Sequence, residues 1–284
     1  PCIHTLEPGG SALMSTYVVG DVQGCASAFN RLLTALAFDP STDHIIFAGD
    51  LIARGDDSLA VMQWVLEHQH ACSAVLGNHD LNFLAVASGV REPKGKDKTT
   101  SLLKSPICDA VIDWYRQRPL ALDLPEHNAL VIHAGVWPLF DRSTLLHEIQ
   151  LVHQRLQSET WVSALESMYG NFPDHFDHAK TTDDQVRFLI NACTRMRFVN
   201  QATLALDFSC KDAPEFSPAG CCAWMDAPHR TMIDRQILFG HWATLNGRKR
   251  DSDAVSLDTG CVWGGYLSAI CLDNRKLIQV ASGV

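Results

Sequence analysis

The sequence lacks a long hydrophobic run, an excess of positive charge and any C-x-x-C cysteine pair. No stretch reaches the roughly 18 apolar residues that a membrane-spanning helix needs. The formal net charge of −9 argues against nonspecific binding to DNA or RNA, because proteins that bind this way are basic. Ten scattered cysteines without a C-x-x-C pair indicate reduced thiols. With no signal-peptide layout at the N-terminus, these absences predict a cytoplasmic protein.

Residues 1–13 show no hydrophobic periodicity, and we expect Met14 to be the natural start. The leader is then either a vector remnant or an unstructured extension. We predict that residues 14–284 form one domain. Two segments, at about 91–125 and about 141–230, do not follow the alternation of strand and helix patterns in the rest of the chain. We expect both to fold over the domain as insertions.

Five short apolar runs each end in a polar turn that contains Gly, Asn or His. They are TYVVGD (16–21), HIIFAGD (44–50), SAVLGNHD (73–80), NALVIHAG (128–135) and QILFGHWA (236–243). Nearly continuous apolar runs are typical of strands that are buried on both faces. Two helical patterns, 26–38 and 57–69, separate the first three runs. This alternation predicts a mostly parallel α/β sheet.

Three further β-rich runs follow residue 237 and are separated by Gly or Asp-Asn turns. They are AVSLDTG (254–260), GYLSAICLD (265–273) and KLIQVAS (276–282). We expect them to form an antiparallel set.

Polar side chains follow each of the five buried strands. They are Asp21, Asp50, Asn78 with His79, His133 and His241. Ligands of open α/β sheets bind outside the carboxyl ends of the strands. Carboxylates, an amide and imidazoles together suit Mn, Co, Zn or Fe, and the set is too large for one tetrahedral zinc ion. The sequence therefore predicts a site for two metal ions that share a carboxylate.

The polar turns also carry ordered motifs: GDVQG (20–24), GDLIARG (49–55), GNHD (77–80), HAG (133–135) and GH (240–241). This order resembles the calcineurin-like metallophosphoesterases, in the phosphoprotein-phosphatase branch. Longer stretches, including GNHDLNFLAVASG, MYGNFP, TRMRF and LDTGCVWGG, resemble the bacterial symmetrical diadenosine tetraphosphatases from Met14 onward. The resemblance implies an α/β/β/α sandwich, a dimetal site at the carboxyl ends of the strands and a cap of helical insertions.

The resemblance also implies roles for the metal ligands. Asp50 would bridge the two ions and Asp21 would hold the first; Asn78, His133 and His241 would hold the second. A hydroxide bridging both ions would be the nucleophile, and His79 would protonate the leaving oxygen or stabilise the transition state. Gln23 departs from the superfamily pattern, which has histidine at this position. Three alternatives stay open for Gln23: it binds the first ion directly, binds it through a water, or only orients Asp21.

A second departure is Ala53, which stands where protein phosphatases carry an aspartate that supports the catalytic histidine. We expect Asp80 or a backbone carbonyl to orient His79 instead. Arg54 follows directly and can offer a planar fork to phosphate oxygens.

Other predicted site residues lie in the second insertion and near the C-terminus. Arg195 and Arg197 are candidate phosphate clamps, and their spacing on one helix predicts that only one reaches the substrate. Tyr169 is the preferred candidate for stacking on adenine, and Trp263 is the second candidate. We expect Asp258 to orient a ligand histidine.

The resemblance implies a hydrolase that splits diadenosine tetraphosphate into two ADP with two divalent ions, Mn or Co. Other dinucleoside polyphosphates and RNA with such a cap are further substrates by the same resemblance; bulk DNA and membranes are not partners. A protein serine/threonine phosphatase is the alternative enzyme, but it needs an open groove where the insertions predict a covered pocket. A non-catalytic nucleotide sensor, motivated by Gln23, is the second alternative. Turnover would separate it from an enzyme.

Overall fold

The computed structural model describes residues 14–283 except for residues 232, 248, 251 and 252. The leader predicted at residues 1–13 lies outside the described residues. No described helix is both long enough and apolar enough to cross a membrane.

The first sheet is built on three parallel strands, as the sequence predicts. They are β1 (Thr16–Val19), β2 (His44–Phe47) and β3 (Cys72–Ala74). Helices α1 (Ala26–Leu36) and α2 (Ser58–Glu67) connect them. On the other side of β1 lies β13 (Tyr266–Cys271), which is antiparallel to β1 and carries β12 (Asp258–Thr259) and β14 (Leu277–Ala281) as antiparallel neighbours.

The second sheet has five strands. In spatial order they are β10 (Lys249–Arg250), β11 (Ala254–Ser256), β9 (Gln236–Phe239), β5 (Ala129–Ile132) and β4 (Ala121–Leu124). The expected antiparallel set is wrong for β11, which pairs in parallel with β9 because the chain crosses between the sheets after Ser256. The first predicted insertion also ends earlier than expected, since β4 pairs with β5 and is part of the sheet.

Alternation along the strands places one core between the two sheets and another beneath the helices. Val18 and Ile46 of the first sheet share a buried cluster with Val131 and Leu238 of the second. Their neighbours, such as Val19, point the other way and pack in the larger cluster. Successive side chains of a strand point to opposite faces, which produces this division. The result is the expected α/β/β/α sandwich.

The remaining helices and a small sheet lie around the carboxyl ends of the strands. The helices are α3 (Asn78–Ala87), α4 (Thr100–Leu103), α5 (Cys108–Arg116), α6 (Arg142–Glu148), α7 (Gln150–Gln157), α8 (Trp161–Ser167) and α9 (Thr182–Arg195). The sheet consists of β6 (Phe198–Asn200), β7 (Leu206–Asp207) and β8 (Cys221–Ala223), all antiparallel. The second insertion is therefore not helical throughout. Strands of two or three residues are too short for a pattern of alternation to reveal them.

Candidate active site

Three buried side chains form the centre of the site. Asp21, Asp50 and His133 follow β1, β2 and β5, and each is less than 5% exposed. One ligand atom from each lies within 4.8 Å of the others. Nδ1 of His133 donates to the carbonyl oxygen of Ala48 (2.8 Å), so Nε2 faces Asp50 Oδ2 at 3.4 Å. A carbonyl can only accept, and this bond therefore directs the other ring nitrogen to the carboxylates.

The charges of this cluster fit a cation. Burial and the charge of Asp258 raise the pKa of Asp21 well above its usual value. Burial opposes ionisation of Asp50 and His133 too, but the attraction between the two groups outweighs the effect of burial. This attraction lowers the pKa of Asp50 to about 2. Together with the charge of Asp21, it raises the pKa of His133 to about 10. Without a metal the cluster thus holds a proton at His133, where a divalent ion can replace it.

A second pair of donors lies beside the first. His241 follows β9, and its ring lies 5.1 Å from that of His133. Nε2 of His241 donates to the Arg195 carbonyl (3.1 Å), so the lone pair of Nδ1 faces the Asn78 side-chain amide at 2.9 Å. One orientation of this amide brings Oδ1 to Nδ1, and two lone pairs then converge, as a metal ion requires. The opposite orientation brings the nitrogen there, where it would donate to Nδ1 and to the Thr194 carbonyl (3.0 Å). Burial, and secondly the charge of Arg197, lower the pKa of His241, which keeps the ring neutral.

Gln23 is held beside Asp50 by the backbone. Its N–H donates to the Asp50 carbonyl (2.8 Å), and its carbonyl accepts from Gly55. The amide side chain lines the same cavity as Asp50 and makes no hydrogen bond to any described residue. The structure therefore gives no support to the alternative in which Gln23 acts only by orienting Asp21. That carboxylate instead accepts from the His241 N–H at 3.0 Å.

Backbone conformation at the site is strained and depends on nearby glycines. Asp50 and His241 have φ values of 50° and 65°, in the left-handed region that side chains other than glycine seldom adopt. A Cβ at Gly77 would lie 2.1 Å from Asp50 Oδ1, and one at Gly240 would lie 1.9 Å from Asp21 Oδ1. These two glycines therefore make room for the carboxylates.

Asp80 supports the backbone and not the His79 ring, contrary to one of the expectations. Its buried carboxylate accepts from the N–H groups of Asp50 (2.8 Å), Leu51 (3.0 Å) and Gly77 (2.9 Å). The N–H of His79 donates to Asp50 Oδ1 (2.8 Å). No described residue forms a hydrogen bond with the His79 ring, so neither Asp80 nor a backbone carbonyl orients it. The ring lines both cavities described below.

Asp258 also differs from the expectation. Its Oδ1 accepts from the N–H of Gly260 (3.0 Å), and among the described residues it forms no hydrogen bond with a histidine. Burial raises the pKa of Asp258 to about 6. Its effect on the site is electrostatic, through Asp21, and it does not orient a ring.

Three predicted arginines lie at the site. Arg195 and Arg197 both line the cavity that Asp50 also lines. That only one of them reaches the substrate stays a prediction. Helix α9 ends at Arg195, and helical spacing does not apply beyond it. Nη2 of Arg197 donates to the His241 carbonyl (3.0 Å). The Nε atoms of Arg54 and Arg197 are buried and have no hydrogen-bond partner among the described residues.

Two adjoining cavities open from these residues. The metal cavity, of about 410 Å³, is lined by Gln23, Asp50, His241, Asp258 and Trp263 among others. The distal cavity, of about 320 Å³, is lined by Tyr169 and by residues of the first insertion. Both cavities share Arg54, Asn78, His79 and Arg195. Most of the predicted site residues therefore line one continuous space, whereas Asp21, Asp80 and His133 are buried and line neither cavity.

Each cavity contains an aromatic ring beside an arginine. In the metal cavity, Arg54 lies 5.5 Å from the ring of Trp263, which is 67% exposed. In the distal cavity, Arg91 lies 4.3 Å from the ring of Tyr169. Arg91 is not among the residues predicted from the sequence, and neither is Phe208. The Phe208 ring lies 4.5 Å from the guanidinium of Arg195. The basic composition of REPKGKDK (91–98) was the available signal for Arg91, and nothing in the sequence distinguishes Phe208.

A family model described as calcineurin-like phosphoesterase matches residues 14–190. The chain belongs to this family. Its curated relatives include proteins named "Bis(5'-nucleosyl)-tetraphosphatase, symmetrical" from Janthinobacterium sp. (strain Marseille) and Bordetella parapertussis. They are 40% and 42% identical, over 94% of this chain and 96% and 95% of their own lengths. The resemblance to the symmetrical tetraphosphatases is thereby confirmed.

Solved structures agree on the fold. A crystal structure provisionally described as a diadenosine tetraphosphatase has a TM-score of 0.64 and 22% identity, covering 96% of both chains. A cold-active protein-tyrosine phosphatase from Shewanella has a TM-score of 0.57 and 16% identity, covering 95% of this chain and 78% of its own. Family membership implies two divalent metal ions, and the cluster of Asp21, Asp50 and His133 is a suitable donor set for them.

Proposed function

We propose that this chain hydrolyses diadenosine tetraphosphate symmetrically into two ADP, with the metal cavity as the site of reaction. The observation that carries this proposal is the buried cluster of Asp21, Asp50 and His133, of which Asp50 lines the metal cavity. Shared residues join that cavity to the distal one. The relatives named for this activity match the chain over nearly its whole length. A long polyanion that crosses from one cavity to the other would present a central phosphate to the cluster.

The proposed metal ligands are Asp21, Gln23, Asp50, Asn78, His133 and His241. Carboxylate, amide and imidazole donors together suit Mn or Co, which we propose as the metals. When bound, the divalent ions supply Lewis acidity to the phosphate and lower the pKa of the attacking water. The strained, glycine-flanked backbone holds these donors in place before any ligand arrives.

The remaining residues act on the substrate. The water oxygen forms a bond to one central phosphorus, and the bond from that phosphorus to the central bridging oxygen breaks. The His79 ring has no hydrogen-bond partner in the described part of the chain, and it donates the proton that the bridging oxygen needs. Arg54 and Arg197, whose buried Nε atoms also lack partners there, stabilise charge on the phosphate, and Arg195 contributes from the end of α9.

Substrate range and location follow as parts of the same proposal. Tyr169 offers a ring for stacking on adenine. Other dinucleoside polyphosphates, and RNA that carries a dinucleoside-tetraphosphate cap, present the same phosphate chain to the two cavities. The cytoplasm is the proposed location, supported by nine cysteines that are free thiols within the described residues.

Product analysis by chromatography tests the proposal. Purified protein is incubated with diadenosine tetraphosphate and Mn or Co. ADP is expected as the only nucleotide product. In an Asp50→Asn variant we expect the rate to fall at least about a thousandfold, because the ions lose a shared carboxylate. Asp113→Asn is the matched control, since Asp113 is exposed and its one ion pair with a described residue is to Arg116.

Other outcomes separate the alternatives. Formation of AMP and ATP would retain the hydrolase and refute symmetric cleavage. Binding of the dinucleotide without turnover under any divalent metal would favour the nucleotide sensor. Faster release of phosphate from a phosphoserine peptide than turnover of the dinucleotide would favour the protein phosphatase.

A further inference from the structure

The distal cavity carries positive charge that the metal site does not explain. Arg91, Lys94 and Lys96 line it and extend into solvent at its rim. Within the described part of the chain, none of the three forms an ion pair or a side-chain hydrogen bond. Among the described residues that line it, Asp97 is the one acidic residue, and its side chain is buried. Three uncompensated cations in a chain of net charge −9 indicate a local preference for an anion.

The segment that carries these cations is fixed to the metal motif. The N–H of Arg54 donates to the carbonyl of Asp97 (2.9 Å), and the N–H of Arg91 donates to the carbonyl of Ala85 in α3 (3.0 Å). One end of the segment is thus joined to the loop after β2 and the other to the helix that begins at Asn78. The cations stand at a set distance from the reacting centre, which limits the entropy lost when a ligand binds.

A flat surface for a purine base lies beside the cations. The Tyr169 ring is half-buried, and its hydroxyl donates to Asn82 Oδ1 (3.2 Å), which fixes its orientation. The Arg91 guanidinium covers the ring at 4.3 Å. Nucleobases stack on tyrosine rings and on guanidinium planes alike. The cavity therefore combines a phosphate-binding rim with a base-binding wall.

We propose that the distal cavity binds the leaving nucleoside diphosphate. Arg91, Lys94 and Lys96 neutralise its phosphates, and the pair of Tyr169 and Arg91 holds its base. This inference rests on the proposed function and gives a place to the second half of the dinucleotide. After the bridging bond breaks, the bridging oxygen departs with this half and carries the proton from His79. The leaving diphosphate has about three negative charges near neutral pH, which the three cations match.

The first test uses a Lys94→Ala/Lys96→Ala double variant. We expect KM for diadenosine tetraphosphate to rise about ten- to thirtyfold, because two charge-assisted phosphate contacts remote from the reacting phosphorus are lost. The fall in kcat should be smaller than the rise in KM. Lys104→Ala/Lys180→Ala is the matched control: it removes the same charge from exposed lysines that do not line either cavity. A KM within twofold of that control would overturn the inference.

Equilibrium binding tests the site without turnover. ADP is titrated by calorimetry into protein freed of metal with a chelator, so that the metal cavity contributes little. Binding by the double variant should be at least about tenfold weaker than binding by the wild type. Equal affinities would refute the distal site even if ADP formation by the wild type supports the proposed function. Absence of ADP formation together with weakened ADP binding would refute the function and retain the site.

A third variant separates the base from the phosphates. Tyr169→Leu should weaken ADP binding about tenfold and change the affinity for inorganic pyrophosphate less than twofold, because only the base uses the ring. Weakening of both ligands to the same extent would show that Tyr169 supports the rim and does not bind the base.

Discussion

At the scale of single residues, the amide side chain of Gln23 faces the metal cavity without a hydrogen-bond partner among the described residues. Two of the three alternatives for Gln23 therefore remain, a direct bond to the first ion and a bond through a water. An amide oxygen is a weaker ligand for a transition metal than imidazole. In either case the side chain adds to metal affinity without deciding it, since Asp21 and Asp50 carry the charge.

We predict that Gln23→Ala raises the concentration of Mn needed for half-maximal activity about tenfold, by removing one donor from the first ion. Gln23→His should lower that concentration below the wild-type value, because imidazole is the stronger ligand. The measurement is a titration of activity with Mn. Gln150→Ala serves as the control, since Gln150 is exposed and, within the described ranges, its side chain bonds to the Leu146 carbonyl alone. Equal requirements in the Ala, His and wild-type proteins would show that Gln23 does not contact the ion.

At the scale of elements, α9 connects the cap to a proposed metal ligand. The carbonyl of Arg195, the last residue of the helix, accepts from Nε2 of His241 (3.1 Å). This carbonyl has no partner within the helix, and the imidazole supplies one. The bond thereby turns Nδ1 of His241 towards Asn78. At the other end, Thr181 and Asp184 form a capping box.

Thr181→Ala should lower the free energy of unfolding by about 1 kcal/mol, because the N–H of Asp184 loses its acceptor at the start of α9. Urea denaturation followed by circular dichroism gives the change. Thr182→Ala is the control, since Thr182 is equally exposed and accepts no capping bond. A loss in the control as large as that in Thr181→Ala would remove the capping interpretation.

At the scale of the whole molecule, two sheets converge on one charged centre. Asp21 and Asp50 come from the first sheet, and His133 and His241 come from the second. The inter-sheet core that contains Val18 and Leu238 holds these strands together and so sets the distances between these four side chains. A metal ion that binds only the folded arrangement must stabilise it.

We predict that chelating the metals lowers the melting temperature by about 5 °C at pH 7. The difference between loaded and chelated protein should grow from pH 6 to pH 8. In the chelated protein His133 has a pKa of about 10, above its unfolded value, so its stabilising proton is progressively lost as the pH rises towards 10. The metal must displace that proton, and this becomes easier as the pH rises.

Differential scanning calorimetry at three pH values checks this. In Asp50→Asn protein the difference between loaded and chelated samples should nearly vanish at every pH. A difference that shrinks from pH 6 to pH 8 in the wild type would contradict the assigned role of His133.

The sequence by itself determined the five buried strands, the two connecting helices and the polar residues that follow the strands. Each of these features is local, since burial on both faces and helical periodicity appear within a few neighbouring residues. Motif order also indicated the family. Tertiary structure decided what depends on distant contacts. It placed β11 in the second sheet and formed the three short strands of the cap. It also brought Arg195 and Arg197 to the same cavity and joined the Asp80 carboxylate to backbone N–H groups. The distal cavity belongs to this second group, because Arg91 and Tyr169 meet only when the two insertions fold together.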